Sequence, residues 1–360
     1  MNNNSTDMKI IHRDEITEFR KRIEPLLKKY PRYDTDYALL RWLRGCKFDQ
    51  EMAAQKMEWS LNAMNAVGAF EKDLSSVEKI EAILADASPI HYFFPGGTIG
   101  YDKNGNVIVI HNIGKAHPRS LVNSTRVSEF YVTSIYDYEG TQCLIRSEEA
   151  RRGCKLGTVV IVDLGDFSYD IIFHLPATKI YISAIGLLQD MFPDAAVKLY
   201  IVNAPLAVQF LMRMVLMSLA KVFITSKETT EAFEFLGSDW KEILVERHGA
   251  KFLPKSYGGT MDDDIFQKGG EVPESVAKAN KRFVADEKLT KITVNARQEI
   301  VVDIVVEKPD SKLSWSGHAS GFTLSSRRNL MKLSAKKQAH INWYSATNTD
   351  AYGANPFNTT

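Results

Sequence analysis

Cysteine is scarce: Cys46, Cys143 and Cys154 are the three in 360 residues. So odd and widely spaced a set is no disulfide framework, and a reducing compartment is the simplest setting. Charge of one sign is lacking as well, since 45 basic residues face 44 acidic ones. A formal net charge of +1 gives no global field to draw the chain to nucleic acid. The polar start, Asn2 to Asp7, is followed by no apolar core, so no signal peptide is read. Gly does not follow Met1, and Asn358-Thr359-Thr360 is no prenylation box. Long apolar runs are rare. The one run of membrane length, Leu206 to Ile224, holds Arg213 near its centre, where a charge in hydrocarbon costs at least ~2.5–3.5 kcal/mol. A span is not expected there.

Catalytic signatures are missing too. There is no G-x-x-x-x-G-K-[ST] loop, no H-E-x-x-H and no paired C-x-x-C. Gly96-Gly97-Thr98-Ile99-Gly100 precedes a hairpin instead of opening a helix, and Gly317-His-Ala-Ser-Gly321 misses G-x-S-x-G by one position. His91, His111 and His117 are read as loop and strand-end residues, not as a ligand set. The expectation is a protein that is not an enzyme, with no metal and no cofactor.

What is present is an ordinary globular composition, 44% hydrophobic and 25% charged, enough for a real core in two or three domains. Up to Val77 the apolar spacing is helical, with Ile16, Phe19, Ile23, Leu26 and Leu27 in one series. In the stretch Asp34 to Asp49, Tyr37, Leu40 and Leu43 form a stripe. Asp34 or Thr35 is a plausible N-cap, Gly45 a stop, and Asp49 the cap of a next helix through Met52, Met57 and Trp59. Ile99 to His111 reads as two strands about Asn104-Gly105. Thr125 to Ile145 is helical, with Phe130, Ile135 and Tyr138 as core candidates. Gly157–Asp163 and Val197–Asn203 are continuous apolar runs, the pattern of strands buried on both faces, and a helix over 177–192 joins them. Strand, helix, strand argues an α/β fold with a mixed or parallel sheet. Met261 to Gly270 looks like a linker, and Ile292 to Val306 carries a β pattern. Lys312 to His340 contains six Lys or Arg and no acidic residue, and the polar end beyond Ser345 is expected to be disordered.

Three segments carry a resemblance. Leu39-Leu-Arg-Trp-Leu-Arg-Gly-Cys-Lys-Phe-Asp49 resembles the signature of the CRAL-TRIO N-terminal domain. Phe192-Pro-Asp-Ala-Ala-Val-Lys-Leu-Tyr-Ile-Val-Asn-Ala-Pro205 resembles that family's "YPE…K.Y.INAP" segment, and Leu253-Pro-Lys-Ser-Tyr-Gly-Gly-Thr260 its closing "LP..YGG". The chain is similar to Sec14-like lipid-binding proteins with a C-terminal GOLD domain. The resemblance implies an N-terminal helical domain over 1–77 and a lipid-binding domain over 78–262. It further implies a GOLD-like β domain over 272–345, on Ile300–Val306 and Lys312–Trp315, before a tail over 346–360.

The resemblance also assigns the odd segment. In the family, the helix after the "NAP" turn is an apolar gate that swings outward at a membrane. Phe210, Met214 and Met217 would then face a bound lipid, while Leu211, Val215 and Leu216 meet the membrane and Arg213 snorkels to headgroups. A cavity floor is implied for strands 158–163 and 197–203, on Thr158, Val160, Val162, Tyr200 and Val202. Phosphatidylinositol-transfer members use an Arg, a Glu and a Lys where this chain has Cys46, Asp194 and Ala232. Two lost cations remove charge-assisted bonds to an inositol phosphate, each worth roughly 1.5–3 kcal/mol. Asp194 stays a candidate ligand, and the expected cargo is a neutral phospholipid or a tocopherol-like or isoprenoid lipid. The expected activity is transfer or presentation of one lipid by a cytoplasmic protein that visits membranes transiently. The alternative is an adaptor that meets a trafficking or lipid-kinase partner through its C-terminal domain.

Overall fold

A computed structural model of the chain describes residues 11–166, 174–206, 232–280, 299–305, 324–325 and 338–345. Two compact units divide it, residues 1–281 and 282–360. The first unit opens with helices α1 (Arg13–Arg22), α2 (Asp36–Gly45), α3 (Gln50–Ala66) and α4 (Val77–Ala87). Their starts follow from their caps. Thr35 accepts a hydrogen bond from the Ala38 amide at 3.2 Å, Asp49 from Met52 at 2.9 Å and Ser76 from Lys79 at 3.4 Å. All residues from Tyr37 to Leu43 are buried, a wider face than the expected stripe, whereas Met52 lies exposed.

The sequence placed a helix stop at Gly45, but the left-handed turn is made by Lys47 and Phe48, with φ of 54° and 63°. Gly45 is still inside the helix, and its role is close approach. A Cβ there would meet Cβ of Pro193 at 2.3 Å.

A five-stranded sheet forms the middle of this unit, in the order β1 (Gly96–Tyr101), β2 (Val107–His111), β3 (Thr158–Asp163), β4 (Ala196–Val202) and β5 (Phe233–Phe235). The β1–β2 pair is antiparallel, and the remaining pairs are parallel. Helix α5 (Pro118–Ser124) and the 26-residue α6 (Val127–Arg152) lie between β2 and β3, and α7 (Leu175–Met191) lies between β3 and β4. Helix α8 (Trp240–His248) follows β5. The mixed sheet with flanking helices is the α/β arrangement expected from the strand–helix–strand pattern.

Strand parity splits the sheet into two chemical faces. One carries Ile108, Ile110, Val159, Ile161, Tyr200 and Val202, packed with Trp240, Leu244 and Tyr257 into a closed apolar layer. The other carries His111, Thr158, Val160, Val162, Leu199 and Ile201, since His111 pairs with Val162, and Val160 and Val162 with Leu199 and Ile201.

The stretch read as a linker belongs to this unit. Phe266 is buried in the closed layer, and Gly96 and Gln267 exchange backbone hydrogen bonds of 2.8 and 2.9 Å. Val272 packs with Ile90 and Leu121, joined by Val276 and Ala277 of α9 (Glu274–Asn280). Apolar contacts of this kind outweigh the turn-forming glycines that suggested a boundary near 262. In the second unit, β6 (Glu299–Val305), β7 (Leu324–Ser325) and β8 (Gln338–Ser345) form an antiparallel sheet in the order β6-β8-β7. The segment Lys312–Trp315 lies outside the described residues.

Candidate functional site

Helix α6 has two working faces. Phe130, Thr133, Ser134, Asp137 and Tyr138 recur at i, i+3, i+4, i+7 and i+8, and all of them line one cavity. Helix α7 presents Ala177, Ile180, Tyr181, Ala184 and Ile185 to the same space at the same spacing. Strand ends close it, through Gly96, Gly97, Ile110 and His111, together with Leu121 and Val122 of α5. The cavity volume is about 230 Å³ and its wall is mainly apolar. Phe130 and Tyr138, read from sequence as core, are therefore wall residues with accessible surface, and Ile135 is core. Concave, mostly apolar sites with a few polar groups are the usual form of a small-molecule pocket.

The polar groups of the wall are specific. Thr98 donates to Oδ1 of Asp137 at 3.4 Å, and the hydroxyls of Thr98 and Thr141 lie 3.3 Å apart. Burial, with repulsion from Glu81 behind it, pushes the Asp137 carboxyl up to about 6. His111 Nδ1 lies 3.2 Å from the hydroxyl of Tyr181, and burial pushes the imidazole down to about 4, so the ring is neutral at physiological pH. Burial raises the phenol of Tyr138 to about 12. Of the three histidines, His91 and His111 reach the cavity and His117 is exposed. His91 is held by Glu81 at 2.8 Å, and no group of metal-binding side chains occurs among the described residues.

The sequence-nominated floor residues divide by parity. Thr158, Val160 and Val162 share the face of His111. Tyr200 and Val202 do not. Tyr200 is 2% exposed in the closed layer, with its hydroxyl 3.1 Å from His248 Nε2, and His248 Nδ1 in turn lies 2.8 Å from Asp102. The residues of that strand on the His111 face are Leu199 and Ile201. The error has a plain cause. A strand apolar on both faces carries no alternation from which to choose.

Asp194 is placed elsewhere as well. It sits in the turn before β4 with φ of 51°, accepting from Arg44 Nε at 2.9 Å and from Lys155 Nζ at 3.1 Å. Burial holds the Lys155 ammonium below its usual range against the pull of Asp194. Asp194 thus ties the N-terminal helices to the sheet and does not line the cavity. Cys46 is buried, and Ala232 is half-buried one residue ahead of β5. Of the gate, Leu206 is 83% exposed at the end of the "NAP" turn. Phe210, Leu211, Arg213, Met214, Val215, Leu216 and Met217 lie outside the described residues. No helix among the described residues is long and apolar enough to cross a membrane.

Two of the three resembling segments meet here. Gly45 packs on Pro193, and Arg44 pairs with Asp194, joining the first segment to the second. The third is fixed by Tyr257, whose hydroxyl donates to Asp163 Oδ2 at 3.0 Å while Asn203 Nδ2 donates to Oδ1 at 2.8 Å.

Asp137, Ser134 and the His111–Tyr181 pair escaped the sequence reading. The i, i+3, i+4, i+7 spacing on 127–152 was available as a signal. The sequence reading takes only Phe130, Ile135 and Tyr138 from this helix, as core candidates, and passes over the polar residues between them.

Residues 94–259 match the family model of the CRAL/TRIO domain. A CRAL-TRIO domain-containing protein of Caenorhabditis elegans is 23% identical over 290 residues, covering 80% of this chain and 68% of the nematode protein. A phosphatidylinositol/phosphatidylcholine transfer protein of Arabidopsis thaliana is 26% identical over 252 residues, 68% of this chain but 40% of the plant protein. The crystal structure of Sfh5 aligns with a TM-score of 0.49 at 15% identity, over 74% of this chain and 94% of that one. Over residues 94–259, then, this chain is similar to CRAL-TRIO domains.

Proposed function

We propose that this protein binds a single hydrophobic lipid in the cavity between α6, α7 and the sheet, and transfers or presents it at membranes. The observation that carries this reading is the wall itself: two helices each turn one face to the same mainly apolar cavity, and the matching family model and the name of the plant relative point to the same class. Sheltering hydrocarbon from water contributes about 25 cal/mol per Å², which offsets extraction from a bilayer without any covalent step. Thr158, Val160 and Val162 lie on the strand face of His111 but outside the lining of this cavity, and the 206–224 segment is assigned here as the gate. Arg44 and Lys155 are both spent on Asp194, which leaves this triad unsuited to holding an inositol phosphate.

Mass spectrometry of lipids extracted from the full chain, purified from its native cells, tests the reading. One stoichiometric lipid class is expected. An empty protein that also takes up nothing from mixed vesicles overturns it. A second reading, a lipid-regulated adaptor, is favoured by the separate compact unit at 282–360. Transfer between protein-free vesicles by the purified chain supports the first reading over the second.

A further inference from the structure

The cavity wall is not uniformly inert, and its polar groups are unequal. Among the described residues, neither Lys nor Arg lines it. The one carboxylate among the described wall residues is Asp137. Its Oδ1 receives the long hydrogen bond from Thr98, and Oδ2 receives none from the described residues. The neighbouring hydroxyls are engaged: Thr133 donates to the Glu129 and Phe130 carbonyls at 2.9 and 3.0 Å, and Ser134 to the Phe130 carbonyl at 2.7 Å. One oxygen of a half-buried acid is thus left without a hydrogen bond beside a mainly apolar space.

We propose that the cavity selects an uncharged lipid whose inner end carries a hydroxyl group, and that Asp137 is the acceptor that reads it. This inference rests on the lipid-binding reading above. A purely hydrocarbon end would leave Asp137 desolvated and under-paired, which is costly. A phosphate would meet a carboxylate in a mainly apolar space with no Lys or Arg among the described wall residues to offset the repulsion. An ammonium would pair with Asp137, but only by bringing a second charge into a space that already penalises the first. A hydroxyl donates one hydrogen bond, adds no charge and leaves the apolar wall to its chain.

The test uses the full chain, stripped of lipid, and four matched probes: farnesol, farnesyl methyl ether, farnesyl phosphate and farnesylamine. Affinities are read by displacement of a fluorescent acyl chain. Farnesol is expected to bind about tenfold tighter than the ether and the phosphate, the size of one hydrogen bond to a charged acceptor. In Asp137→Leu the alcohol and the ether should converge to within about twofold, while Asp137→Asn keeps part of the preference. If the fluorescent acyl chain itself does not bind, the lipid-binding reading falls; if it binds and none of the four probes displaces it, that reading stands and the hydroxyl assignment is overturned. Equal binding of alcohol and ether by the wild type leaves that reading standing and overturns the hydroxyl assignment. Tighter binding of the amine or the phosphate also overturns it. A farnesol preference that survives Asp137→Leu removes Asp137 from the role. Should that variant fail to fold, the wild-type ranking still decides the ligand class.

Discussion

Oδ2 of Asp194 lies 2.9 Å from Nε of Arg44 and 3.1 Å from Nζ of Lys155, so a single carboxylate oxygen serves two cations from different parts of the chain. Asp194→Ala would take the carboxylate away from the buried Lys155 ammonium. A loss of about 1–3 kcal/mol in urea unfolding is expected, the range for a charged hydrogen-bond partner left unsatisfied. Lipid carried per protein should be unchanged in the folded fraction. A variant that is stable but empty would return Asp194 to the binding site.

Gly45→Ala is a steric test of the same junction. Its new Cβ would lie 2.3 Å from Pro193 Cβ, inside contact distance, and a prolyl ring cannot rotate away. Overpacking of this kind costs typically about 1–3 kcal/mol. A melting temperature equal to that of the wild type would show that helix α2 and the turn before β4 are not in contact.

The Asp137 carboxyl, raised to about 6, makes stability depend on pH in a definite direction. The folded state holds its proton more tightly than the unfolded one, so its contribution to stability is present below the ordinary carboxylate range. That contribution is lost as pH rises through about 6. Asp137→Asn removes this dependence. The variant should therefore gain on the wild type between pH 4.5 and pH 7.5, read as a widening difference in urea midpoint. A constant difference across that range would show that Asp137 ionises as an exposed aspartate does.

Filling the cavity separates binding from folding. Ser134 is on the wall of α6, half-buried, and its hydroxyl is spent on the Phe130 carbonyl. Ser134→Phe projects a ring into the cavity while burying new apolar surface. Bound lipid should fall at least about tenfold, with the unfolding midpoint unchanged or raised, as apolar burial without strain predicts. Undiminished lipid content would place the ligand elsewhere.

Much of this architecture was legible in the residues. Thr35 and Asp49 cap the helices that their side chains and positions suggested, and the two apolar runs are parallel neighbours in the sheet. The three resembling segments proved to be largely structural. Arg44 and Gly45 grip Asp194 and Pro193, and Tyr257 with Asn203 holds Asp163. Facing was not legible. Tyr200 and Val202 could not be told from Leu199 and Ile201, because a strand covered on both sides has lost the polar alternation that would assign them. The ten residues from Met261 to Gly270 misled for the opposite reason. Their glycines and aspartates signal turns, while one aromatic residue, Phe266, and one backbone pair anchor them.

That backbone pair, Gly96 with Gln267, bears on how the chain is made. Strand β1 is an outer strand of the sheet, and the carbonyl and amide of Gly96 find their partner 171 residues later. During synthesis the first strand of the sheet therefore emerges long before the residue that pairs with its Gly96 end. Until Gln267 arrives, that margin is an open template for another nascent chain. Ribosomes spaced closely on one message would present such margins to each other. Slow decoding, or a chaperone held near residues 96–101, would then decide how much of the product reaches the native fold.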